Sequence, residues 1–294
     1  MTVGFHSSDV SADVIHHDPS INAQMYRFVH ILSGFFFAVA VLPLEGAFAQ
    51  SLPTPEDLMF SGQGIADIII DGDTLQLTDG SEVRLTGIQS PKLPLGRANF
   101  REWPLAQVAK QALEDLTAGQ RIKLYVDGNG QDRYGRVLAQ AVREDGLWLQ
   151  GEMVRRGLAR VYTFSDNRTM ATALLLKESE AREERLGIWS LAYYAVRDSE
   201  PENLERYFGT FQLIEGTVVE AARVRGRVYL NFGDDYRTDF TASIDRQSDR
   251  LFKQSGLDPL TLEGQRLRVR GWVKDFNGPL VDITHPEQIE ILDK

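Results

Sequence analysis

The 294-residue chain has no cysteine and only five histidines, four of which (His6, His16, His17 and His30) precede residue 50. Without cysteine there are no disulfides, thiol nucleophiles or thiolate zinc sites. With His285 the one histidine of the remainder, a Ser-His-Asp triad or a paired-histidine metal site is excluded there as well. No zinc and no haem are expected. Any chemistry has to come from carboxylates, hydroxyls, lysine or arginine. Positive charge is not in excess either: the net charge is −10, so a field that attracts phosphate would have to be local.

Long hydrophobic runs are scarce. The most apolar stretch, Ile31 to Leu42, follows Arg27 and precedes Ala47-Phe48-Ala49-Gln50, the layout of a secretory signal peptide with a small-x-small cleavage site. It falls short of the roughly 20 residues a membrane span needs. Residues 1–24 are polar and acidic, unlike a charged leader segment, which makes Met25 a candidate start of translation. The expectation is cleavage after residue 49 and an exported protein, periplasmic or secreted, with no stable membrane span; a retained anchor is the alternative. Without residues 1–49, which carry one arginine and four acids, the 32 basic and 42 acidic residues fall to 31 and 38.

What remains reads as two small β-rich domains with helices, an α+β chain. Residues 50–63, with two prolines, read as a flexible lead-in. Strand-like runs follow at Gly64–Ile70, Thr74–Leu77 and Glu82–Ile88, the last two joined by an Asp79-Gly80 turn. Helical spacing covers Leu105–Leu116 after Pro104. Strands are expected at Arg121–Val126 and Arg136–Val142, and helices at Trp148–Arg156 and Thr169–Leu186, the latter closed by Gly187. Residues 192–209 are polar around Pro201 and read as a linker. Beyond them, five or six short strands with one helix, Asp249–Gln254, between the third and fourth suit a small Greek-key barrel of OB type.

Three stretches place charged residues at strand ends and turns, where backbone geometry fixes side chains: Asp71-Gly72-Asp73-Thr74, Arg84-Leu85-Thr86-Gly87-Ile88-Gln89-Ser90-Pro91-Lys92, and Asp132-Arg133-Tyr134-Gly135-Arg136. Singly, each also reads as a common turn, a solvated strand charge or a hairpin ion pair. Their order, followed by Gly157-Leu158-Ala159-Arg160-Val161 and by Gly187-Ile188-Trp189, resembles the staphylococcal nuclease (thermonuclease) family over residues 64–191.

That resemblance implies an OB-fold barrel with helices and phosphodiester hydrolysis by water, aided by one calcium ion. It places Asp73 as a metal carboxylate, Ser90 as the residue lending a carbonyl to the metal, Arg84 and Arg136 as phosphate-binding arginines, and Tyr134 as an aromatic beside the nucleotide. Two positions depart from the family pattern. Gln89 stands where the second metal carboxylate belongs, and Lys92 where the water-activating glutamate belongs. Calcium affinity rises with ligand charge, and losing a general base costs roughly 10²–10⁴ in rate. Counted over Asp73, Arg84, Lys92 and Arg136, the site is cationic.

Three readings follow. The chain is a nuclease in which Lys92 supplies the calcium's charge and another acid, such as Asp71 or Glu102, orients water; its calcium-dependent activity is then weak, altered or absent. Or it is a non-catalytic module for single-stranded DNA or RNA, or for another phosphate-bearing ligand. Or it is an interaction protein whose charges are merely solvated.

In residues 210–294, Arg223, Arg225 and Arg227, and again Arg266, Arg268 and Arg270, recur at every second position. Arg225, Arg227, Arg268 and Arg270 are candidate backbone contacts, with Tyr229, Phe232 or Trp272 as stacking platforms; a solvated sheet face is the alternative. His285, beside Pro286, reads as a turn residue, and the Glu178–Arg185 charge run as the wet face of its helix.

Overall fold

The computed structural model describes residues 51–292. The leader at 1–49 and the candidate start at Met25 lie outside the described residues. Among the described residues no helix is long and apolar enough to cross a membrane.

Five strands close a barrel: β1 (Met59–Asp71), β2 (Thr74–Leu77), β3 (Glu82–Leu85), β5 (Arg121–Val126) and β6 (Val137–Arg143), in the order β1-β2-β3-β6-β5. Alternation sends Leu75, Leu77, Val83, Leu85, Ile122, Leu124 and Val126 inward, all buried. Each such burial contributes about 1.5–3 kcal/mol. Helix α1 (Ala106–Thr117) lays Ala109, Leu113 and Leu116 on this core, and α2 (Leu149–Arg155) adds Leu149 and Met153.

The expected strand Glu82–Ile88 is broken in two. Gly87 takes φ 81°, and an added Cβ there would come within 2.8 Å of Leu174. The chain therefore leaves the barrel, and β4 (Gly87–Gln89) pairs instead with β7 (Arg160–Tyr162). This detour carries Gln89, Ser90 and Lys92 over the end of the β1–β2 hairpin. Helix α3 (Ala171–Glu183) follows β7.

The stretches read as a flexible lead-in and as a linker both contribute elements to the fold. Residues 59–63 belong to β1 and pair with β5, Met59 opposite Val126; their side chains stay largely exposed, which erased the alternation that marks a strand. Residues 192–209 hold a short strand β8 (Arg197–Asp198) and a helix α4 (Pro201–Leu204) whose Leu204 is buried in the second core.

That second core lies under a curled sheet of β8, β9 (Phe211–Thr217), β10 (Glu220–Val224), β11 (Arg227–Asn231), β12 (Thr241–Ile244), β13 (Arg266–Asp275), β14 (Pro279–Ile283) and β15 (Ile289–Leu292). Helix α5 (Ser248–Gln254) falls between β12 and β13, and β12 pairs β14 in parallel. Arg225, expected inside a strand, forms the β10–β11 turn with Gly226, both at positive φ.

The two sheets meet through buried polar contacts. Glu178 of α3 accepts from Arg182 and Arg270, both at 2.7 Å, and from the Val161 amide at 2.7 Å. Arg270 is 1% exposed and also pairs with Glu290. The start of the Glu178–Arg185 run is thus an internal anchor, since Glu178 is fully buried. His285, at 0% exposure, is likewise internal and lies within 2.8 Å of Thr163 Oγ1.

Candidate functional site

The site begins at the β1–β2 hairpin, where Asp71 pairs with Thr74 across Gly72-Asp73. Asp71 Oδ1 accepts the Asp73 amide at 3.0 Å, an aspartate turn that fixes both carboxylates. Gly72 is needed for close approach: a Cβ there would lie 2.7 Å from Ala109 Cβ of α1 and 2.8 Å from Ser90 Cβ. The turn is pressed against helix and loop, and Asp73 is fully buried as a result.

A buried carboxylate needs partners. Asp73 Oδ1 lies 2.6 Å from Lys92 Nζ and 3.3 Å from Arg84 Nη1, and it accepts the Thr74 hydroxyl at 3.1 Å. Asp73 Oδ2 accepts from Lys92 Nζ at 2.7 Å and from the Ser90 amide at 2.7 Å. Lys92 Nζ also donates to Asp71 Oδ2 at 2.9 Å. Burial pushes the Asp73 carboxyl up, but Arg84 and Lys92 outweigh it and hold it well below the usual carboxylate range. Asp71 is raised, by burial first and by the neighbouring Asp73 charge second.

Arg84 is turned inward. It donates to the carbonyls of Asp73 at 3.1 Å and Ile88 at 2.6 Å, and to that of Leu85. Arg136 is held by Asp132, both Nε and Nη2 lying 2.7 Å from Oδ2. Together they line one wall of a cavity of about 360 Å³ that also presents Arg133, Asp132, Asp166, Asn167, Tyr162 and Phe164. Tyr134 stands beside Arg133 and Arg136, whose guanidinium carbons lie 4.9 and 5.6 Å from its ring centre, and is 69% exposed.

The structure corrects the charge count. Asp71 and Asp132 are as close to these bases as Asp73 is, and Glu82 lies 3.9 Å from Arg136, so Arg84, Lys92 and Arg136 face four acids. The cluster is therefore not cationic; the cavity lining itself carries three guanidiniums and two carboxylates. Asp71 sits two residues before Asp73 and Asp132 four before Arg136, inside the stretches already singled out, and that adjacency is the signal in the sequence. Glu102, the other candidate acid, is exposed and, among the described residues, accepts only from Gln107 at 3.4 Å.

The arginines of the second sheet are mostly spent on structure. Arg270 is buried against Glu178 and Glu290, and Arg268 is bound by Glu215 at 2.5 Å and by Glu290 at 2.9 Å, so neither presents a free guanidinium to a backbone. Arg227 pairs with Asp282 at 3.2 Å. Arg225 stands exposed at its turn. Alternation placed β13's arginines on one face, but that face packs on α3. Phe232 is buried against Phe240, whereas Tyr229 and Trp272 are not buried.

The sequence profile described as Staphylococcal nuclease homologue matches residues 82–191. The chain is 30% identical over 129 residues to the Thermonuclease of Staphylococcus intermedius, covering 41% of this chain and 72% of that protein. The chain belongs to the staphylococcal nuclease family. It is also 32% identical over 135 residues to Endonuclease YncB of Bacillus subtilis (strain 168), spanning 44% of this chain and 63% of that protein. With Endonuclease YhcR of the same organism it shares 26% over 180 residues, 57% of this chain but 15% of the relative.

As a member of the staphylococcal nuclease family the chain is expected to use calcium, and its residues do not fit that ion. Both carboxylates of the hairpin are occupied by one ammonium. The Gln89 amide oxygen is committed to Arg160, accepting from Nε at 2.9 Å and Nη2 at 2.6 Å. The Ser90 amide is a further donor to Asp73 Oδ2. Among the described residues no group of three or more histidine, aspartate or glutamate side chains is placed to hold a metal. Arg160, a residue of the Gly157–Val161 stretch, is therefore what takes Gln89 out of the site.

Proposed function

We propose that this chain binds DNA or RNA through the cavity between Arg84, Arg133 and Arg136 without calcium, and that calcium-stimulated cleavage is slow or absent. The observation that carries the reading is Lys92 Nζ held between Asp71 and Asp73. An ammonium there supplies the positive charge that a family member takes from a divalent ion, and it leaves neither hairpin carboxylate free to polarise water. Membership of a family of nucleases, and the endonuclease names of the relatives, supply the substrate class.

In this reading Arg84 is a fixed element, its guanidinium spent on backbone carbonyls and Asp73. Arg136 is the adaptable one: a phosphate oxygen entering the cavity competes with Asp132 for the same guanidinium. Arg133 lines the cavity and Tyr134 stands beside it, an exposed ring on which a base can stack. The leader-like residues 25–49 support a reading in which the protein is exported and meets its ligand outside the cytoplasm.

The test is a digestion and binding assay on the protein lacking residues 1–49. Binding of a labelled single-stranded oligonucleotide is expected to be equal in calcium and in chelator, and to weaken in Arg136→Ala. Fast cleavage that disappears with chelator would overturn the reading.

A further inference from the structure

The wall of the cavity does not end with the first barrel. Tyr162 and Phe164 line it and meet edge to face, ring centres 5.0 Å apart at 86°. On its other side Tyr162 packs at 5.0 Å on Phe211 of β9, and its hydroxyl accepts the indole N–H of Trp272 of β13 at 3.1 Å. Phe211 in turn meets Trp272 at 6.4 Å. Four aromatic rings thus run without a break from the first barrel to the curled sheet.

The run is rigid beneath and open above. Phe211 is buried, with the Arg160 guanidinium 4.6 Å from its ring centre, and Arg160 is itself tied to Gln89 and to the Phe211 carbonyl at 3.1 Å. Phe164 and Trp272, the two ends, are 54% and 44% exposed. An exposed indole held by its N–H and backed by a second ring is pre-organised for stacking, because little rotamer freedom is left to lose. Guanidiniums in the cavity and aromatic rings leading away from it are the two surfaces that a single strand engages; a duplex hides its base faces and gains nothing from the rings.

We propose that a single strand of nucleic acid anchored by a phosphate in the cavity continues over Phe164 and Tyr162 and stacks a base on Trp272, so that the second sheet supplies a distal subsite. This rests on the nucleic-acid reading of the cavity. The consequence is a length requirement: a short ligand touches the cavity alone, and a longer one also gains Trp272.

The test uses fluorescence anisotropy in chelator, with a labelled thymidine dinucleotide and a labelled oligo(dT) of about twelve nucleotides, within the site sizes of single-strand binders. Trp272→Ala is expected to weaken the longer ligand about tenfold and to leave the dinucleotide unchanged, while Trp272→Phe, which keeps a ring but loses the bond to Tyr162, retains most of the affinity. In the unaltered protein the longer ligand quenches tryptophan emission, and in Trp272→Phe that quenching disappears. Equal affinity of parent and Trp272→Ala for the longer ligand, or quenching that persists in Trp272→Phe, would overturn the distal subsite while Arg136→Ala still weakens both lengths. If Arg136→Ala weakens neither, the cavity reading fails and the subsite with it.

Discussion

Lys92 Nζ touches both carboxylate oxygens of Asp73, at 2.6 and 2.7 Å. Because Asp73 is fully buried, that ammonium is part of the fold as well as of the site. Lys92→Ala leaves two buried carboxylates facing one another with Arg84 as their remaining cation, and breaking a buried pair in this way costs about 3–5 kcal/mol. The expected result is a lower denaturant midpoint with an unchanged slope. An unchanged midpoint would show that the ammonium is not held where the structure puts it.

Lys92→Glu tests the same place from the other side. A third carboxylate beside Asp71 and Asp73 creates an acidic cradle, so calcium at millimolar concentration is expected to raise the Tm of this variant and leave that of the parent unmoved, since a ligand that binds only the folded state stabilises it by mass action. Adding Gln89→Asp is expected to give little more, because position 89 faces the Arg160 guanidinium. Thermal melts of the parent and both variants, with and without calcium, check this.

Arg270→Met probes the contact between the sheets. Glu178 and Glu290 lose a fully buried partner, at a cost of about 3–5 kcal/mol. The double change Arg270→Met with Glu178→Gln is expected to be less destabilising than the sum of the two single changes, and chemical denaturation of all four proteins measures that coupling.

Acid should loosen the same contact. Burial, with Arg168 and Arg270 nearby, pushes His285 down to about 4. A histidine whose folded pKa is depressed contributes stability that is complete above the unfolded value of 6.5 and is lost as pH falls through 4, by about 3 kcal/mol for a shift of this size. Glu290 has the same sign: burial raises it, but Arg270, Arg182 and Arg268 prevail and hold it at about 2, so its contribution fades below 4.5. His285→Gln is expected to flatten the stability profile between pH 6.5 and 4 and to leave the fall below 4.5, as equilibrium unfolding against pH would show.

Local patterns in the chain were enough to find the hairpin of Asp71 to Thr74, most strands of both sheets, helices α1, α2, α3 and α5 and the cluster of Asp73, Arg84, Lys92 and Arg136, but not β8, β10 or α4. They failed where the deciding partner is distant in sequence. Arg270 alternates with Leu267 and Val269 as an outward strand residue should, yet Glu178 of α3 covers it. Gln89 reads as a neutral metal ligand until Arg160, 71 residues on, takes its oxygen. Residues 59–63 were missed for the opposite reason, because a strand exposed at the barrel's edge has no buried face to impose a period of two. The residue types of the site are local properties, while its net charge is a sum over neighbours that only folding brings together.

The most direct test of Lys92 as the resident cation is a calcium titration of the parent protein by isothermal calorimetry at low ionic strength. The account predicts no saturable heat at millimolar calcium. One tightly bound ion per chain, abolished by Asp73→Asn, would contradict it.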